Sequence, residues 1–546
     1  MSFGFGFSLP TLGWHLSGGG SAGYSVTKSL RFRSSASAYL SKTYAATSNR
    51  QTWTWSGWVK RGTLGGAQTL FGLSSNAGSS GVFTQITWDS DQLSLISFNN
   101  SVVEARKTST ALYRDPAAWY HVVCVFDTTN ATAANRLLTY INGVQITSFS
   151  SSVDPAQNYS GYINGSTTFP TTIGELTYSG NVNFFDGELA EVNFVDGQAL
   201  TPTSFGAYSI YNQWLPIKYA GTYGTNGFYL PFTNTASTST LVADSSGNGN
   251  NWTPNNISLT AGSTYDSLTD VPTLTSETVA NYAVLNAVNP KGNSTVSNGN
   301  LTEVITTVTG AGRGATIAVT SEKFYVEATA VGGGAMVTAV GITSPSASTY
   351  QLYLAGVGYY SNNGNKYISG VGSAYGTAWA SAGTYTIGMA LDVGAGTIQF
   401  YLNNVAQGSI TLPTMPSDGW IFVADWESSS GSVTYNWNYG QQPFTYTPPT
   451  DFLRLNTYNI AAGTVTTSGT FTGNLSTDGP MVYLNGTPTA MTINGNAVTF
   501  GTHADKLANG FKVRSSSASY NTAGSNTYVA TIVGAVFKYE DAQGNP

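Results

Sequence analysis

The segment Tyr359-Tyr360-Ser361-Asn362-Asn363-Gly364-Asn365-Lys366-Tyr367, with Trp379 close behind, has the residue types of a binding surface. Sugar rings present apolar C–H faces that stack on tyrosine and tryptophan, while amides, hydroxyls and backbone groups satisfy the ring hydroxyls. The same Tyr/Ser/Gly/Asn mixture suits protein recognition. Tyr359, Tyr360, Asn362, Asn363, Tyr367 and Trp379 are therefore the expected ligand contacts. At the other end of the chain, Met1-Ser2-Phe3-Gly4-Phe5-Gly6-Phe7 alternates. An extended segment would put Phe3, Phe5 and Phe7 on one side, as an anchor adding a strand to a neighbour requires.

Catalytic arrangements are scarce. His15, His121 and His503 are the three histidines and fall in different predicted modules, so a histidine-based metal site is not expected. No phosphate-binding glycine loop is present. A glycosidase needs two carboxylates flanking a cleft. Glu188 and Glu191 are the best local pair, but a spacing of three in a regular strand sends them to opposite faces. Asp425 and Glu427 are two apart and read as a solvated pair. Cys124, the single cysteine, sits in His121-Val122-Val123-Cys124-Val125-Phe126 and reads as core filling. No catalytic residue, metal or cofactor is expected. Asp244-Ser245-Ser246-Gly247-Asn248-Gly249-Asn250-Asn251 offers oxygens for calcium, yet it has one carboxylate and reads as a turn-rich loop.

The elements that position these residues must be strands. Charged residues are 9% of the 546 and aromatics 13%, with 62 glycines. Ser, Thr, Asn and Gly in place of Lys and Glu disfavour helices and suit strands joined by tight turns. The aromatics supply too much buriable surface for a disordered chain. A net charge of −6 without a basic stripe argues against nucleic acid, and no apolar run is long enough to span a bilayer. The N-terminus has neither a basic n-region nor an apolar h-region, so no secretory signal is expected.

The expected organisation is all-β, with tandem β-sandwiches. Residues 1–28 are the Gly/Phe-rich anchor and 29–212 a first sandwich. Its strands run over Ser29–Arg33, Thr52–Lys60, Gln68–Leu73, Val82–Trp88, Leu93–Phe98, Trp119–Asp127, Arg136–Ile141 and Gly187–Val195. Trp53-Thr54-Trp55 alternates, and Gly57 marks a bulge or a close backbone approach. Asn142-Gly143 is a hairpin signal. Residues 213–300 read as a connector, 301–448 as a second sandwich, and 449–546 as a small C-terminal β module with an Asn494-Gly495 hairpin.

These motifs, in this order, carry a resemblance. Ser29-Leu30-Arg31-Phe32, Trp53–Lys60, Trp119-Tyr120-His121-Val122, Tyr140-Ile141-Asn142-Gly143 and Gly187–Phe194 resemble a laminin-G-like, concanavalin A-like jelly roll. Lys323–Ala328, Tyr385–Asp392, Thr397–Asn404 and Asn438-Tyr439-Gly440 with Pro443-Phe444 are similar to SPRY domains, in which loops at one end bind partners. The whole series resembles tail-fibre and virion-surface proteins of bacteriophages. That resemblance implies a non-enzymatic, homo-oligomeric appendage subunit on the virion surface, with a trimer favoured. Its N-terminus would dock to other virion proteins, and its sandwiches would meet host-surface glycan or protein. The alternatives are a virion decoration or scaffold subunit and a glycan-depolymerising hydrolase.

Overall fold

The computed structural model describes residues 24–533, apart from 76–80, 101, 179–180, 210–212, 307–311, 333–336, 380–381, 427–430, 461–463, 485–486 and 508–509. Phe3, Phe5, Phe7, His15 and Glu427 lie outside the described residues. The chain is all-β, and every sheet is antiparallel.

Two eight-stranded sheets face each other in the first sandwich. One runs in the order Val144–Gln145, Leu137–Ile141, Trp119–Asp127, Thr52–Arg61, Gly187–Asp196, Ser29–Phe32, Ser267–Leu268, with Phe228–Leu230 on the far half of Gly187–Asp196. The other runs Phe149–Val153, Val102–Ser109, Gln92–Asn99, Val82–Asp89, Gln68–Ser74, Thr171–Ile173, Tyr39–Lys42, Thr253–Asn255. Alternation explains the core between them. Trp53, Trp55, Val59, Val122, Cys124 and Phe126 point inward and are fully buried. Trp53 stacks on Phe126 at 5.1 Å, and burying such rings dominates the energetics of the layer. The Cys124 thiol is pushed up by burial, which leaves it an inert apolar filler.

The second sandwich pairs a seven-stranded sheet with a five-stranded one. The first is ordered Ser294–Ser297, Thr302–Thr306, Ser432–Asn438, Lys323–Gly332, Gly383–Asp392, Thr397–Leu402, Val405–Thr411; the second Val371–Ala374, Asn365–Ile368, Val357–Tyr360, Thr338–Thr343, Ile421–Trp426. The C-terminal module has a four-stranded and a three-stranded sheet around Ile493, Phe511, Val513 and Ala530.

The sheets run across the expected boundaries. Residues 213–300 do not form a separate connector: Phe228–Leu230, Thr253–Asn255 and Ser267–Leu268 complete the first sandwich, and Ser294–Ser297 the edge of the second. The C-terminal module begins later than 449, because Leu453 bridges to Phe324 and Leu455 is buried in the second core.

Candidate functional site

The expected ligand contacts are dispersed by the fold. Val357–Tyr360 and Asn365–Ile368 are paired strands rather than one long loop. Val357 and Tyr359 point into the second sandwich, where Tyr359 meets Phe400 at 5.5 Å and Trp379 at 6.1 Å. The Tyr359 hydroxyl donates to the Thr377 carbonyl. Tyr359 and Trp379 are fully buried, so neither can stack on a ligand. Tyr360 is buried on the other face of its sheet, against Tyr367 at 4.6 Å. Of the expected set, Asn362 and Asn363 are exposed at the turn and Tyr367 is half-buried. The Asp425 carboxyl is buried too and accepts from the Leu352 amide at 2.9 Å, so it is not a solvated group.

Glu188 and Glu191 depart from the expected opposite faces. The register of Gly187–Asp196 against Thr52–Arg61 shifts between Ala190 and Asn193, opposite Gly57, and Glu191 has φ 52°. The extra residue resets the alternation. Leu189 and Val192 enter the inter-sheet core, while Glu188, Ala190 and Glu191 share the outer face. Both carboxyls are nevertheless covered. Tyr24 and Tyr229 donate to one Glu191 oxygen, the latter at 2.8 Å, and burial raises the Glu191 carboxyl. Glu188 lies among Arg31, Lys60 and Asp270, and burial holds it well above the usual carboxylate range. Glu188 and Glu191 therefore do not form the accessible carboxylate pair that a glycosidase requires.

His121 is equally committed. The Trp214 indole N–H, which can only donate, reaches His121 Nδ1 at 2.9 Å. The single proton of a neutral ring therefore sits on Nε2, donated to Ser56 Oγ at 2.8 Å. Burial pushes His121 down to about 3, so it stays neutral and cannot take the serine proton. His503 accepts from the Thr499 amide and stacks on Tyr520 at 4.0 Å. In the 244–251 loop, the Asp244 oxygens accept from the Tyr229, Ser246 and Asn250 amides, while the Asn248 and Asn250 side chains donate to carbonyls of residues 224–227. Those oxygens serve the turn, and the asparagines present N–H groups inward. Among the described residues no group of three or more His, Cys, Asp or Glu is placed to hold a metal.

The accessible chemistry lies on the outer face of the first sandwich. Gly206–Tyr208 and Trp214–Pro216 form a small hairpin in which Tyr208 and Trp214 are cross-strand partners, with ring centroids 4.9 Å apart. Trp214 stacks on His121 at 5.9 Å, and His121 on Trp58 at 4.9 Å. A row of rings thus climbs from the buried Trp58 to Tyr208, which is 47% exposed. Tyr208 and Phe169 are the exposed aromatics among the described residues. The Asn142-Gly143 turn supports the row: a Cβ on Gly143 would lie 2.6 Å from the Trp214 ring, and Tyr208 Oη donates to the Asn142 carbonyl at 3.3 Å. Exposed Val144, Gln145 and Gln213 border it with apolar and amide surface. A ring face held rigidly beside amide groups suits a sugar or a peptide side chain.

Residues 33–204 match the sequence profile of the concanavalin A-like lectin/glucanases superfamily, a laminin-G type. The first sandwich is therefore a concanavalin A-like domain. No curated protein sequence matches the chain. Among solved structures, stonustoxin is similar at 15% identity over 29% of this chain and 27% of that one, with a TM-score of 0.23. The SPRY domain of human HERC1 is similar at 18% identity over 26% of this chain and 91% of that domain, with a TM-score of 0.23. The PSpry domain of TRIM65 is similar at 11% identity, covering 29% and 92%, again with a TM-score of 0.23.

Proposed function

We propose that the chain is a non-enzymatic binding subunit that uses the Tyr208–Trp214 row to hold surface carbohydrate. The exposed tyrosine packed edge-to-face on a braced tryptophan, on a concanavalin A-like domain, carries this reading. The sealed positions of Glu188 and Glu191 favour binding over hydrolysis. The series of sequence motifs and the low charge further support a homo-oligomeric appendage subunit on a virion surface, with a trimer favoured. In this reading the N-terminal segment with Phe3, Phe5 and Phe7 docks to other virion proteins, and the sandwiches meet a host-surface glycan.

The test is binding of the full chain to intact host cells, competed by their purified surface polysaccharide. Saturable, competed binding is expected, and Tyr208→Ala should weaken it by about tenfold, the loss of one stacked ring. A folded oligomer that binds no cells would favour a decoration or scaffold subunit. Bond cleavage in the polysaccharide would sink the non-enzymatic reading.

A further inference from the structure

Lys60 and Glu188 are cross-strand partners on the outer face of the first sandwich, and both are buried. Lys60 Nζ lies 2.6 Å from Oδ2 of Asp270, which is fully buried. It also reaches Asn281 Oδ1 and the Tyr282 carbonyl, each at 2.8 Å. The other Asp270 oxygen, Oδ1, accepts from Trp119 Nε1 at 3.0 Å and from the Tyr282 amide at 3.2 Å. Glu188 accepts from Ser29 Oγ at 3.3 Å through Oε2, while its Oε1 is buried without a hydrogen-bond partner. An amine is thus held against a carboxyl whose second oxygen sits between two N–H donors, with another acid alongside. We propose that Lys60 and Asp270 become joined after folding by an intramolecular amide bond.

The chemistry needs nothing from outside the chain. The ammonium passes one proton to Asp270 Oδ2, which replaces a buried ion pair by a neutral amine and acid, a change that low dielectric favours. Burial also raises the Asp270 and Glu188 carboxyls. Nζ then attacks Cγ. The N–C bond forms and negative charge develops on Oδ1, where the Trp119 and Tyr282 N–H groups hold it as an oxyanion hole does. Glu188 is placed to carry the second Nζ proton to Oδ2, and the C–Oδ2 bond breaks to release water. One ammonium and one carboxylate become one amide and one water, with no change of oxidation state. Fixing both groups in a folded sheet supplies the proximity that free side chains lack.

The product would tie the Thr52–Arg61 strand to the chain where it leaves the first sandwich, 210 positions further on. A pull applied at one point would bypass the domain between them.

The test is the mass of the full chain measured after denaturation, followed by tryptic mapping. The expected result is a mass one water below that of the sequence, no cleavage after Lys60, and a branched peptide joining the Lys60 and Asp270 segments. Lys60→Arg and Asp270→Ala should restore the full mass, and Glu188→Gln should slow its loss after refolding. The wild-type measurement decides even if a variant fails to fold. Full mass with ordinary cleavage after Lys60 would reduce the site to an ion pair. Loss of ammonia, with the branch at Asn281, would overturn Asp270 as the electrophile. Loss of water without a branched peptide would mean a local dehydration and would equally reject the bond.

Discussion

Leu301, Glu303 and Ile305 alternate on the strand Thr302–Thr306 and the residue before it, so the Glu303 carboxyl enters the second sandwich between two core side chains. Neither of its oxygens makes a hydrogen bond of ordinary geometry, nor does the Trp437 indole on the adjoining strand or the Tyr439 hydroxyl just past its end. The Arg313 guanidinium nearby is spent on Ser294 and on the carbonyls of Asn286 and Ala287. Burial, only partly offset by Arg313, pushes Glu303 from 4.5 up to about 8. The folded state therefore keeps a proton that the unfolded chain releases. This contribution to stability is complete below about pH 4.5, falls as pH rises, and is gone above about 8. Each pH unit in that window costs at most about 1.4 kcal/mol. Thermal unfolding of Glu303→Gln should show a shallower decline between pH 5 and 8 than wild type. Parallel curves would mean that Glu303 is not protonated in the fold. Nothing in the sequence distinguished this glutamate from a surface one, because its burial depends on which side of the strand meets the facing sheet. Tyr359 and Trp379 depart from expectation for the opposite reason: their glycine- and asparagine-rich neighbours suggest a loop, whereas the Val357/Tyr359 alternation assigns Tyr359 to the core and Trp379 packs against it.

At the scale of elements, alternation made the long strands legible. All eight strands expected in the first sandwich are present; Val102–Ser109, with Glu104, Arg106 and Lys107, was too polar to be read. Alternation fails where one residue is added. The bulge at Glu191 reverses the expected facing of two carboxylates, and Gly57 opposite it was the only signal. The Tyr208–Trp214 hairpin was missed because the expected boundary at residue 212 fell inside it. Its position depends on the Asn142-Gly143 turn, where Gly143 has φ 81° and touches the indole. Gly143→Ala adds a Cβ in a left-handed conformation and against the ring. It should cost about 2 kcal/mol in denaturant unfolding and weaken glycan binding alongside Tyr208→Ala. Loss of stability with intact binding would separate the turn from the aromatic row.

The whole molecule is organised by contacts between its two large sandwiches. Asp186, at the start of the Gly187–Asp196 strand, accepts from the Asn298 and Gly299 amides at 2.8 Å each, and from Ser34 Oγ at 2.7 Å. Ser35 Oγ donates to Asn298 Oδ1 at 2.6 Å, and Thr63 Oγ1 to the Val296 carbonyl. Lys60 with Asp270, Asn281 and Tyr282 adds a buried charged contact on the segment leading into the second domain. The turn formers of 213–300 had suggested a connector; its strands are only two to four residues long, too short for a period to show. Removing a buried acceptor of several N–H and O–H groups leaves all of them unpaired. Asp186→Ala should therefore split calorimetric unfolding of the two sandwiches into separate transitions, whereas a single transition at lower temperature would show that other contacts keep them coupled.

The strap from residue 267 to 299 also has a mechanical meaning. It supplies a strand to one sheet, crosses the charged contact at Asp270, and supplies a strand to another, so each end is held by backbone pairing with a buried ion pair between them. Force on the far sandwich would reach the first through this short pairing and the buried ion pair together, and not through a free linker. The pair would then act as a stiff lever, turning a small tilt at its tip into torque at its base.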